Sequence, residues 1–253
     1  MKKLLARLIL ALALAQTFAL ANAQSKADSA ALALKQQENI QIYHKAISYN
    51  DLSTAAYSLV NYLHAGGNPA YTDTLAVVYY NMNNFSGAYK MANELYTADN
   101  KNVTALTLLA DISGRGGETK TSLDWYEKLC VLSPSAYNFY QLASKQFVLE
   151  RKLECNQSLQ KVLADSAAAM KEQVSLEVSN GYFEQVPVLA AAYNMLGVMA
   201  YNEKNMAEAK TYYSKALATA PKFAIAKQNL DGLNPAAPAK SATKPTANSK
   251  TKG

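Results

Sequence analysis

The 253-residue sequence predicts an all-α solenoid of five helix–turn–helix units, interrupted by one β-hairpin and closed by a short terminal helix. Three observations predict it. Small residues recur at Ala55, Ala88, Ser122, Cys155 and Ala209, spaced 33, 34, 33 and 54 residues apart. Apolar residues at Ile42, Leu75, Leu109, Leu142 and Leu196 repeat the same spacings. Between these marks apolar residues fall at i, i+3 and i+4, the period of a helix burying one face. Units of this length cannot bury both faces alone, so they stack into one core.

The elements follow in order. Residues 1–23 read as a secretory signal peptide. Lys2, Lys3 and Arg7 are the charged start, residues 8–15 the apolar stretch, and Ala21-Asn22-Ala23 a small-x-small cleavage site before Gln24. Arg7 and Gln16 leave fewer than the ~18 apolar residues a membrane-spanning helix needs. No Cys lies near the cut to carry a lipid. The repeats occupy about 36–68, 69–102, 103–135, 136–169 and 190–223. In the second, Leu75, Val78 and Tyr79 share one stripe, and Ala88, Met91, Ala92 and Leu95 another. Turn-forming residues separate the helices at 81–84, Asp99-Asn100, 114–117, Ser133-Pro134 and Ala220-Pro221.

The spacing of 54 holds one repeat and 20 extra residues. Within them Val174, Leu176 and Val178 alternate with polar residues, and Asn180-Gly181 is a strong hairpin signal. A hairpin over 172–188 follows. A two-residue turn opposes Glu177 to Glu184, which is unfavourable. A three-residue turn pairs Val178 with Tyr182 and Val174 with Val186, and is preferred. The hairpin is either a ligand-contacting flap with Tyr182 and Phe183 at its tip or an insertion packed on helix faces. The second is favoured, because an isolated hairpin is marginally stable. Residues 224–233 form a capping helix. Residues 235–253 hold Pro, Ala, Lys, Ser and Thr with no large apolar side chain, so disorder is expected there.

Residues 190–223 resemble the tetratricopeptide repeat. With Ala190 as position 1, the pattern falls on Tyr193 (4), Leu196 (7), Gly197 (8), Ala209 (20), Tyr213 (24), Ala216 (27) and Pro221 (32). Ala200 at position 11 and Lys204 at the usual Gly of position 15 depart from it. The same frame places Tyr43, Ala76, Ala110, Ala143 and Gly197 at small position 8, with Tyr43 the misfit in the first unit. The resemblance covers roughly 36–233 and implies a right-handed solenoid. It also implies a concave groove lined by positions 2, 5, 9, 12 and 13 of each first (A) helix. The candidate groove residues are then His44, Asp73, Tyr80, Asn81, Asp111, Arg115, Tyr140, Phe147, Asn194, Tyr201 and Asn202. Positions 5 and 9 hold no Lys or Arg, so the carboxylate clamp of chaperone-binding relatives is absent. The mixture of Tyr, Asn and acid suits a peptide backbone or a sugar.

Charge narrows the partner. The net +6 divides into +3 on residues 1–23 and +4 on 235–253, leaving 18 basic against 19 acidic residues between them. A basic nucleic-acid domain is therefore not indicated. His44 and His64 stand alone and no HExxH occurs, so no metal or cofactor is expected. Cys130 sits at position 28 and Cys155 at position 20 of the next unit. Side-by-side second (B) helices, as in the resembled family, set them about 12 Å apart along the axis. That exceeds the ~7 Å reach of a disulfide, so two buried free thiols are expected. Ser158 and Lys161 form an SxxK, read as a solvated helix face. Gly114, Gly116 and Gly117 form no phosphate loop. Asp28-Ser29-Ala30, Asp73-Thr74-Leu75 and Asp165-Ser166-Ala167 resemble O-glycosylation acceptor triplets. The sequence thus predicts a non-catalytic adaptor of the bacterial periplasm or envelope that binds a protein or peptide. A glycan- or peptidoglycan-binding module is the alternative, and a Ser-Lys hydrolase a remote one.

Overall fold

A computed structural model describes residues 2–179 and 181–233, with side chains from residue 24 onward. Its elements, in order, are α1 (Lys2–Ser48), α2 (Leu52–His64), α3 (Tyr71–Asn81), α4 (Phe85–Ala98), α5 (Val103–Arg115) and α6 (Thr119–Leu132). Then come α7 (Ala136–Val148), α8 (Lys152–Ala164), α9 (Ser166–Lys171), β1 (Gln173–Ser179), β2 (Tyr182–Pro187), α10 (Val188–Asn202), α11 (Met206–Thr219) and α12 (Ala224–Gly232). The fold is a tetratricopeptide-like array of helix–turn–helix units with a β-hairpin between α9 and α10. Helix α1 runs through the predicted cleavage site. Among the described residues no helix is long and apolar enough to cross a membrane. The predicted tail 235–253 and Asn180 of the hairpin turn lie outside the described residues.

One backbone device closes every turn from an A helix to its B helix. Asn50, Asn83, Gly117, Glu150 and Lys204 have φ of 56°, 59°, 81°, 59° and 62°. Each left-handed residue lets the next N–H reach back to the helix it ends. Asp51, Asn84, Glu118, Arg151 and Asn205 donate to the carbonyls of Ala46, Tyr79, Ser113, Gln146 and Ala200, each at 2.9 Å. This is the paired closure of a Schellman motif. The same five residues N-cap the following helix. Asp51, Asn84 and Asn205 accept there from the N–H groups of Thr54, Gly87 and Glu208, the role for which such side chains are preferred.

The chain divides into two compact units, Met1–Ser133 and Pro134–Gly253. In the first, Ala46, Ala55, Ala56, Leu59, Leu75 and Val78 form one core cluster, and Ala76, Ala92, Leu108 and Leu109 a second. Ile42 shares the position of Leu75 but is 46 % exposed. In its place Tyr43 turns inward, its ring 6.0 Å from that of Tyr71. In the second unit one large cluster gathers residues from α7, α8, α9, the hairpin, α10, α11 and α12. The five small residues of position 20 are all fully buried, because there the B helix crosses its A helix closely. At Gly197 a methyl group would stand 2.4 Å from the Tyr213 ring, so only glycine fits.

The hairpin belongs to this second core. Val174 and Val186 are buried and face each other. Glu172 accepts from the N–H of Tyr137 at the start of α7, and Glu184 from that of Ala224 at the start of α12. Both carboxylates meet a helix N-terminus, where backbone donors and the dipole favour them. The register merges both expected pairings. Val174 opposes Val186 as the three-residue turn requires, yet at the tip Ser179 opposes Tyr182. A bulge at Val178 absorbs the difference and sets Glu177 opposite Phe183, so the two glutamates never meet.

Candidate functional site

In the first unit α3 and α5 lie side by side and bring three predicted groove residues together. Tyr80, on the last turn of α3, donates its hydroxyl to Asp111 on α5. Arg115, one turn further along α5, donates Nε to Asp111 Oδ2 at 2.7 Å and to Tyr80 Oη at 3.0 Å. Its guanidinium also lies 5.5 Å from the Tyr80 ring and 5.6 Å from that of Phe85, within cation–π range. Burial, and then the bond to Asp111, push the Tyr80 hydroxyl up to about 12. The hydroxyl stays protonated and donates throughout the physiological range. Asp73, at the other end of α3, accepts from Asn102 Nδ2 at 3.1 and 3.2 Å. Asn102 also caps α5, so Asp73 fixes a helix start. His44, Val77, Asn81 and Thr107 are exposed.

The second unit departs from the predicted groove at two positions. Tyr140 is 6 % exposed and sits in the core, where burial, and next the nearby Cys155, raise its hydroxyl far above the usual tyrosine range. It is not free to stack on a ligand. The extra residues explain this: α9, the hairpin and the start of α10 pack over α7. Asn194 is likewise buried, and its Oδ1 accepts from Asn229 Nδ2 of α12 at 2.9 Å. It holds the capping helix in place of a partner. Phe147 is half-buried against the same core. Tyr201, 47 % exposed, and Asn202 remain open. At the hairpin tip Tyr182 and Phe183 are 65 % and 56 % exposed.

Two other expectations change or gain detail. Ser158 is not on a solvated face: it is buried, its hydroxyl 2.7 Å from Gln146 Oε1, while Lys161 is exposed. Cys130 and Cys155 are free and buried, and burial pushes their thiols up to about 12 and about 11. Asn102, Phe85 and Asn229 join the site although the repeat frame does not assign them to it. Asn102 carried a usable signal, an N-cap amide just before an apolar run. Phe85 and Asn229 carried none, since their roles arise from neighbouring helices.

Residues 190–223 match the tetratricopeptide repeat family. Searched against curated proteins, the chain has no match. Among solved structures it is similar to a tetratricopeptide repeat protein from Parabacteroides merdae, at 17 % identity over 79 % of this chain and 72 % of that one, with a TM-score of 0.62. It is also similar to MamA from Desulfovibrio magneticus, at 13 % identity over 73 % and 94 %, with a TM-score of 0.59. A third likeness is to the Cut9–Hcn1 hetero-tetramer, at 13 % identity over 76 % of this chain but 35 % of that one, with a TM-score of 0.55. At these identities the likeness is one of fold. The chain therefore contains a tetratricopeptide repeat within a tetratricopeptide-like array, a fold that commonly binds protein partners.

Proposed function

We propose that the protein is a non-catalytic adaptor, exported by its N-terminal segment to the periplasm or envelope, that binds a protein or peptide through its A-helix faces. One observation carries this reading. The A helices keep exposed Val77, Asn81, Thr107, Tyr201 and Asn202 at the positions assigned to the groove, and among the described residues none of these side chains belongs to a core cluster. In the first unit the same helices carry Arg115, whose side chain is 57 % exposed and held in place by Asp111 and Tyr80. A pre-ordered polar group costs little further entropy on binding. The signal-peptide pattern of residues 1–23 supports export.

Site-specific photo-crosslinking in the native cell tests the reading. A crosslinker at Asn81 or Tyr201 is expected to trap a defined protein that the same group at Glu127 or Lys210, on B helices, does not trap. Identical adducts from both faces, or none from either, refute it. The exposed Tyr201 ring beside Asn202 also favours a glycan reading. Calorimetric binding of peptidoglycan fragments that is lost in Tyr201→Ala would replace the first reading with this one.

A further inference from the structure

Helices α8 and α10 bring three sulfur atoms to one point in the second unit. Met195 and Met199 stand one turn apart on α10, on the same helix face. Cys155 Sγ lies 3.6 Å from Met199 Sδ and 4.0 Å from Met195 Sδ. We propose that Cys155, Met195 and Met199 form a binding site for a soft monovalent cation, copper(I) or silver(I).

Distance, ligand type and charge all favour such an ion. With metal–sulfur bonds of about 2.3 Å, as for zinc thiolates, ligand sulfurs at trigonal or tetrahedral angles lie roughly 3.7–4.0 Å apart. Both spacings from Cys155 Sγ to a methionine sulfur lie within about 0.1 Å of this range. Thiolate and thioether are soft donors that select copper(I). Among the described residues no group of three His, Cys, Asp or Glu is placed to hold a harder ion. Cys155 is fully buried among apolar residues, where an uncompensated charge is costly. One thiolate and one monovalent cation make a neutral site, whereas a divalent ion leaves a buried positive charge.

Entry and proton balance are also accounted for. Met199 lines a cavity of about 320 Å³ whose walls include Leu196, Ala200, Leu153, Asn156 and Tyr212. Leu153 and Asn156 are exposed, so the cavity connects Met199 to solvent. On binding, the Cys155 S–H bond breaks, sulfur bonds to the metal, and the proton leaves to solvent. No electron is transferred. Without metal the three side chains pack as adaptable apolar filler, so the site does not depend on occupancy to fold.

The test uses the full chain carrying Cys130→Ser, which leaves one thiol. Copper(I) is titrated anaerobically against a coloured copper(I) chelator. One equivalent should be withdrawn from the chelator, with release of one proton per metal. Adding Cys155→Ser should abolish the withdrawal. Adding Met195→Leu with Met199→Leu, which conserves volume, should weaken it at least about tenfold while the helical circular dichroism is kept. The proposal is overturned if the Cys130→Ser chain takes no copper from the chelator. Retained binding in the Cys155→Ser chain, or unchanged affinity in the leucine pair, also overturns it.

Discussion

Replacing Lys204 or Glu150 with glycine should stabilise the second unit. Both residues hold φ near 60° in an A–B turn, a conformation that costs an ordinary L-residue roughly 1–2 kcal/mol. Glycine removes that cost but adds about 0.5–1 kcal/mol of unfolded-chain entropy. The net gain is roughly 0.5–1 kcal/mol per site. Asn83 occupies the same turn position in the second repeat, but asparagine tolerates it. Asn83→Gly should therefore change little. Gly117→Ala, at φ 81°, should lose about 1 kcal/mol. Urea unfolding measures these differences as a shifted midpoint at constant slope, and thermal midpoints should move by about 2–4 °C per kcal/mol. Lys204 and Glu150 sit in separate repeats, so the double variant should be near-additive. If Lys204→Gly and Glu150→Gly gain no more than Asn83→Gly, these turns store no strain and the reasoning fails.

Three further outcomes follow from the packing. Gly197→Ala places a methyl group against the buried Tyr213 ring. Overpacking should outweigh the better helix propensity of alanine and destabilise by about 1–3 kcal/mol in urea unfolding; a gain in stability would contradict the close helix crossing. Both thiols should resist an alkylating reagent at neutral pH and both should react once denaturant is added without reductant, as intact mass reports; a native-state adduct on either would contradict their burial. The raised Tyr80 hydroxyl makes the first unit's stability pH-dependent on the alkaline side. Its contribution is complete below pH 10, the unfolded value, and fades as pH rises through about 12. Tyr80→Phe should flatten that decline, and an unchanged slope would place the titration elsewhere.

The repeat was legible because packing leaves a regular trace. The small residues of position 20 lie where helices cross, so their spacing marked each helix pair, and all five are fully buried. The two Cys were readable as buried thiols for the same reason. The groove was less legible. Its positions assume that repeat follows repeat, and the frame carries no information about what inserted residues cover. Tyr140 was lost to α9 and the hairpin, and Asn194 to Asn229 of the capping helix. The hairpin register failed at one residue, Val178, because a bulge relieves the Glu177–Glu184 conflict that excluded the shorter turn. Sequence exposed the conflict but not which residue would yield. The convergence of Cys155 with Met195 and Met199 spans forty residues and leaves no periodic mark.

The turns also bear on how such a chain can be lengthened or cut. In every A–B turn a single residue ends one helix and begins the next, so an added amino acid would break both ends together. Between α2 and α3 and between α4 and α5 the residues that end one helix and cap the next are distinct. It is in such an inter-repeat stretch, between α8 and α10, that the chain carries its additional short helix and strands, with Asp165 both ending α8 and capping α9. Grafted loops, affinity tags or new termini belong in those inter-repeat stretches, while each helix pair behaves as an indivisible brick.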